Sequence, residues 1–179
     1  MDLSVADFYA LIQTSRMNHG LRWMGCVVAA VFLSGCAPKE SAPAPVAEVE
    51  DPAIRREQLF GPEAKFPEIT WRSSGLGILM VNPGEGVAPK LMDTVRVHYS
   101  GRLKDGTVFD DSRKRNKPSD FVVNHLITGW ASAMQTLRPG GHAVFFIPPS
   151  LGYGGTRVAG IPPNSGLIFE VELLAVNPE

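Results

Sequence analysis

The run Thr94-Val95-Arg96-Val97-His98-Tyr99-Ser100 alternates polar and apolar side chains without a break. A period of two places Val95, Val97 and Tyr99 on one face of a strand and leaves the other face polar. Asp105-Gly106 follows as a hairpin-type turn, which directs the chain back alongside the strand it has just left. The same pattern recurs. Leu76, Ile78 and Met80 alternate ahead of the turn signal Asn82-Pro83-Gly84. His142 to Ile147 is apolar and is stopped by Pro148-Pro149. Phe169, Val171 and Leu173 alternate with Glu170 and Glu172. Between these strands one segment has helical spacing: Trp130, Met134 and Leu137, with Ala131 and Ala133 beside them, ended by Arg138-Pro139-Gly140-Gly141. These segments predict an α+β domain with an antiparallel sheet of five to six strands and one short helix to cover a face.

From about Thr70 onward the chain holds roughly 100 residues, enough for one modest core. The whole sequence carries 17 basic and 18 acidic residues, so no net field draws it to nucleic acid. The basic run Arg113-Lys114-Arg115-Asn116-Lys117 reads as a solvated loop. The two cysteines, Cys26 and Cys36, both precede the domain, which rules out a disulfide framework within it. His98, His125 and His142 are dispersed and read as surface or structural residues. No cluster has zinc-ligand spacing, and neither a metal nor a cofactor is expected.

The N-terminus reads as an address. Arg22 precedes the apolar run Trp23–Leu33, which is about half the ~20 residues of a membrane-spanning helix. The run closes with Leu33-Ser34-Gly35-Cys36, which resembles a bacterial lipobox. Small residues suit a signal-peptidase cleft, and a thiol forms a stable thioether to diacylglycerol. Cys36 is therefore the expected lipidation site and mature N-terminus, with residues 1–35 removed as a signal segment. Ala37 after the cysteine points to the outer membrane, facing the periplasm. Asp2 and Asp7 do not suit a signal, and Met17 is the expected true start. Residues 36–72, with Ala42-Pro43-Ala44-Pro45 and further prolines, read as a solvated tether, in which Ile54, Leu59 and Phe60 have the spacing of one short helix. Residues 73–179 form the expected domain. The prolines leave no room for a helical dimerisation domain, and a monomer is expected.

Within the domain, six motifs in order resemble the FKBP-type peptidyl-prolyl isomerases. They are Val97-His98-Tyr99-Ser100-Gly101, Asp105-Gly106-Thr107-Val108-Phe109-Asp110, and Arg113 to Pro118. They continue with Asn124-His125-Leu126-Ile127-Thr128-Gly129-Trp130, Pro149 to Gly154, and Ile161-Pro162-Pro163-Asn164 with Leu167 to Leu174. The resemblance implies a twisted antiparallel sheet wrapped around one short helix, with a pocket between them. Trp130 forms the implied floor. Tyr99, Phe109, Phe121 and Phe169 form the walls, completed by Leu126, Ile127, Tyr153 and Ile161. Asp110 accepts hydrogen bonds from Tyr99 and Arg115, while the Ile127 amide and Tyr153 hydroxyl hold substrate carbonyls.

The implied reaction is rotation about X-Pro bonds of envelope or secreted polypeptides, with no nucleophile and no metal. The implied partners are proline-containing chains and tacrolimus or rapamycin-type macrocycles. Ser119 replaces a rim aromatic common among relatives, and Ala131 an acidic residue. The segment between Tyr153 and Ile161 is slightly short, which makes Arg157 or Val158 a rim residue and bears on substrate preference. The same segment leaves no space for the large apolar flap of chaperone-type relatives, which favours an enzyme over a client-holding module.

Overall fold

The alternation of Thr94–Arg102 is realised as one long strand whose every second residue is buried, with Val95 and Val97 fully enclosed and Tyr99 nearly so. The structure, a computed structural model, describes residues 51–179. The expected signal segment, Cys36 and residues 37–50 of the tether lie outside them. The chain forms helix α1 (Pro52–Phe60), then strands β1 (Thr70–Trp71), β2 (Gly77–Asn82), β3 (Thr94–Arg102), β4 (Val108–Asp111) and β5 (Ser119–Val122). Helix α2 (Thr128–Met134) and strands β6 (His142–Ile147) and β7 (Leu167–Val176) follow.

The strands make one antiparallel sheet in the order β1-β2-β6-β7-β3-β4, with β5 also paired to β3. It has seven strands because β1, only two residues long, joins the edge of β2. The last strand, β7, is therefore interior, between β6 and β3. Helix α2 ends earlier than the spacing of Trp130, Met134 and Leu137 suggested. The Thr136 hydroxyl donates to the Ala133 carbonyl at 2.6 Å, and the Leu137 amide turns tightly onto Met134, so Leu137 is buried from a turn and not from the helix.

The sheet is covered on both faces. On β6, Phe145 meets Trp130 of α2, while its neighbour Phe146 points the other way and meets Phe60 edge-on at 5.6 Å. Phe60, Trp71 and Phe146 form one ring cluster, with Phe60 1% exposed. The helix that brings Phe60 there starts with the Asp51 carboxylate accepting the Ala53 amide at 2.9 Å and Pro52 in its first turn. An ion pair from Arg102 to Glu63 (2.5 Å) and a bond from Lys104 Nζ to the Gln58 carbonyl (3.0 Å) pin the segment further. Ahead of the expected boundary at residue 73, Phe60, Ala64 and Ile69 are buried, so part of the expected tether packs with the sheet. The short helix anticipated from Ile54, Leu59 and Phe60 is present, but Phe60 makes it part of the domain instead of a solvated tether.

Candidate active site

Strand β3 delivers Tyr99 and Gly101 to the α2 side of the sheet, and its partner β4 delivers Phe109 and Asp110. Consecutive residues of a regular strand face opposite sides. Here Gly101 pairs with Asp110 and Arg102 with Val108, so Phe109 is the extra residue of a β-bulge. The bulge re-aims its ring, and Phe109 and Asp110 both line one cavity. Gly101 makes space for this: a β-carbon there would lie 2.6 Å from the Phe109 ring and 2.7 Å from that of Phe169.

The cavity is about 400 Å³. Trp130, 3% exposed, forms its floor and meets Phe121, Phe145 and Phe169 edge-on at 6.1, 6.0 and 6.3 Å. Gly129 brings α2 close enough, since a β-carbon there would sit 2.5 Å from the Ile147 side chain. Tyr99 stands edge-on to Phe121, and Phe109 to Phe169, with ring centroids 5.7 and 5.5 Å apart. Such edge-to-face contacts orient rings as well as bury them. Leu126, Ile127, Tyr153 and Ile161 complete the lining.

One wall is held by charge. The Tyr99 hydroxyl donates to Asp110 Oδ2 at 2.5 Å, Arg115 Nη1 donates to Asp110 Oδ1, and Arg115 Nη2 donates to the Tyr99 oxygen at 3.1 Å. Partial burial pushes the Asp110 carboxyl up, but the bonds from Tyr99 and Arg115 outweigh it and hold the group below its ordinary range. Burial, and then the Asp110 bond, push the Tyr99 phenol up. At neutral pH the trio is therefore a neutral phenol, a carboxylate and a guanidinium. Two polar groups are left for a ligand. The Ile127 amide donates to nothing among the described residues, and the Tyr153 hydroxyl, at the cavity edge, is likewise unbonded.

Ten of the eleven pocket residues expected from the sequence come together around this cavity. Arg115 does not line it and acts from outside, through Asp110 and Tyr99. Sequence reasoning missed His125, read as surface or structural, and Ala159; of the two rim alternatives it is Val158 that lines the cavity. Val158 is held over it by a bridge to Ile161. It also missed Ser112, the one fully buried polar residue described. Its hydroxyl accepts from the Tyr99 amide (2.8 Å) and donates to the Tyr99 carbonyl (3.2 Å), which joins the Arg115 loop to β3. A hydroxyl that replaces strand pairing leaves no periodic trace in the sequence.

Residues 85–174 match the family described as FKBP-type peptidyl-prolyl cis-trans isomerase. The chain belongs to this family. The match extends over most of the length of one relative. The macrophage infectivity potentiator of Trypanosoma cruzi is 37% identical over 168 residues, which cover 90% of this chain and 86% of that protein. FkpA of Escherichia coli is 45% identical over 115 residues, covering 64% of this chain and 43% of FkpA. The chain spans about half the length of several of the curated relatives it matches. The crystal structure of a Pseudomonas syringae peptidyl-prolyl cis-trans isomerase superposes with a TM-score of 0.62 at 31% identity, over 71% of this chain and 94% of that one. The FKBP fold is thereby shown: an antiparallel sheet with one short helix against the face that carries the cavity. Among the described residues no group of three His, Cys, Asp or Glu side chains could hold a metal ion, and no helix is long and apolar enough to cross a membrane.

Proposed function

We propose that this FKBP domain is a peptidyl-prolyl cis-trans isomerase acting on X-Pro bonds of cell-envelope or secreted polypeptides. The observation that carries the reading is the aromatic cavity over Trp130, with a pinned Tyr99–Asp110–Arg115 wall and two free hydrogen-bonding groups at its edge. Rotation about an X-Pro bond is slow because amide resonance imposes a barrier of about 18–20 kcal/mol. Twisting the bond removes that resonance and leaves the carbonyl oxygen less dipolar. An apolar surround therefore favours the twisted amide over the planar one, which is differential binding of the transition state. The rings grip the prolyl ring, and the Ile127 amide and Tyr153 hydroxyl fix flanking carbonyls, so the chain is held while one bond turns. Every catalytic contribution is positional or electrostatic, and no bond to the protein forms.

Tyr99, Phe109, Asp110, Ile127, Trp130, Tyr153 and Phe169 are the proposed catalytic residues. Phe121, Leu126 and Ile161 bind substrate, and Arg115 acts as a positioning residue through Asp110. The same cavity suits tacrolimus or rapamycin-type macrocycles. The lipobox-like Leu33-Ser34-Gly35-Cys36 supports lipid anchoring through Cys36, Ala37 supports the outer membrane facing the periplasm, and the protein acts there as a monomer.

The test is isomerisation of a short Phe-Pro or Leu-Pro peptide by the purified protein and by Phe109→Ala and Asp110→Ala. Each variant is expected to lose at least about tenfold in rate, equivalent to ~1.4 kcal/mol of barrier. Well-folded wild type that gives no acceleration overturns the isomerase reading.

A further inference from the structure

On the opposite face of the sheet lies a second cleft, of about 430 Å³, between α1 and the turn from β1 to β2. Three of its lining residues are arginines, Arg55 and Arg56 on α1 and Arg72 at the turn, and three are serines, Ser73, Ser74 and Ser150. Among the described residues no acidic residue lines it. In a chain with 17 basic and 18 acidic residues, this is a local excess of positive charge.

None of the three guanidiniums is neutralised among the described residues. The Arg55 side chain has no partner, Arg56 stacks over the Trp71 ring at 4.6 Å, and Arg72 donates to the uncharged Ser132 hydroxyl at 2.7 Å. By contrast, Arg96, Arg102, Arg113 and Arg115 all reach a carboxylate. The hydroxyls of Ser73, Ser74 and Ser150 are also unbonded among the described residues. The frame around them is fixed. The Gly75 amide closes the turn onto the Arg72 carbonyl at 2.9 Å, Trp71 is packed in the Phe60–Phe146 cluster, and the Arg56 guanidinium lies over the Trp71 ring.

Guanidinium forks with free hydroxyls between them bind tetrahedral oxyanions through charge-assisted bonds, and phosphate most readily. We propose that this cleft is a phosphate-binding site, for either a phospholipid headgroup or free phosphate. It is separate from the aromatic cavity and does not rest on the isomerase reading.

The experiment follows the arginine side-chain NMR signals of the full chain during titration with inorganic phosphate. A parallel arm measures co-sedimentation with vesicles of phosphatidylcholine alone and with added phosphatidylglycerol. Arg55→Gln and Arg56→Gln are compared with wild type, after thermal melting confirms that each is folded. Arg55 is exposed and unpartnered, so its variant is expected to fold normally. The expected result is a saturable phosphate response of Arg55, Arg56 and Arg72, weakened about five- to tenfold by either substitution. Vesicle binding that needs phosphatidylglycerol and falls in both variants assigns the headgroup source. A response to free phosphate with no such vesicle dependence assigns the soluble source. The proposal is overturned if wild type responds to neither probe, or if both variants bind as wild type does.

Discussion

Gly101 and Phe109 compete for one space: a β-carbon on Gly101 would lie 2.6 Å from the edge of the Phe109 ring. The glycine is opposite the bulge that turns this ring into the cavity. Gly101→Ala must displace Phe109, Phe169 or both. Overpacking of this kind costs about 1–3 kcal/mol. Denaturant unfolding is expected to show that loss, and X-Pro isomerisation is expected to fall by more than stability alone explains. A variant with wild-type activity would show that the position of the ring is not critical.

The Asp110 carboxyl is expected to titrate below its ordinary 3.8 in the folded protein. A depressed folded value means that its bonds to Tyr99 and Arg115 contribute stability above the unfolded value, and that this contribution is lost as the pH falls through the folded one. The effect on stability is small because the pair is partly exposed. NMR titration of the side-chain carboxyl carbon measures it directly. Tyr99→Phe and Arg115→Ala should each move the midpoint upward, and an unchanged midpoint in both would mean that the trio does not set it.

Phe60→Ala removes a ring that is 1% exposed, from the face opposite the cavity. A large buried aromatic lost in this way costs about 3–5 kcal/mol. The expected outcome is a marked fall in melting temperature, with kcat/KM close to wild type at temperatures where the variant stays folded. A chain trimmed to begin at residue 73 should fare worse, because it also loses Trp71 and uncovers Phe146. If trimming leaves stability intact, α1 is dispensable.

Trp130 and Trp71 lie on opposite faces and serve as internal reporters. Binding of a proline-containing peptide or macrocycle over Trp130 should change its fluorescence. The response should survive Trp71→Phe and vanish in Trp130→Phe. The reverse pattern would move the ligand to the other face.

What the sequence disclosed and what it hid follow from the range of each signal. The alternation of β3 and β7 and the apolar run of β6 are local signals, and the structure returns His142–Ile147 with the expected bounds. The rings of the cavity were legible through motif spacing. The bulge at Phe109 was not, because an extra residue in β4 has meaning only against its partner in β3. Phe60 was placed on a helix, but its burial depends on Phe146, far along the chain, and so the segment read as tether. His125, read from the sequence as surface or structural, is at once exposed and part of the cavity rim.

The interior position of β7 sets an order in time. The strand nearest the C-terminus fills the gap between β6 and β3 and brings Phe169 to the cavity wall. While residues 167–176 are still inside a ribosome or a translocation channel, the sheet is two unjoined halves. Such late, sequence-distant closure makes folding slow relative to helical proteins. A copy in which residues 167–176 have not yet docked has neither a continuous sheet nor the Phe169 wall, so the cavity is the last part of the domain to be completed.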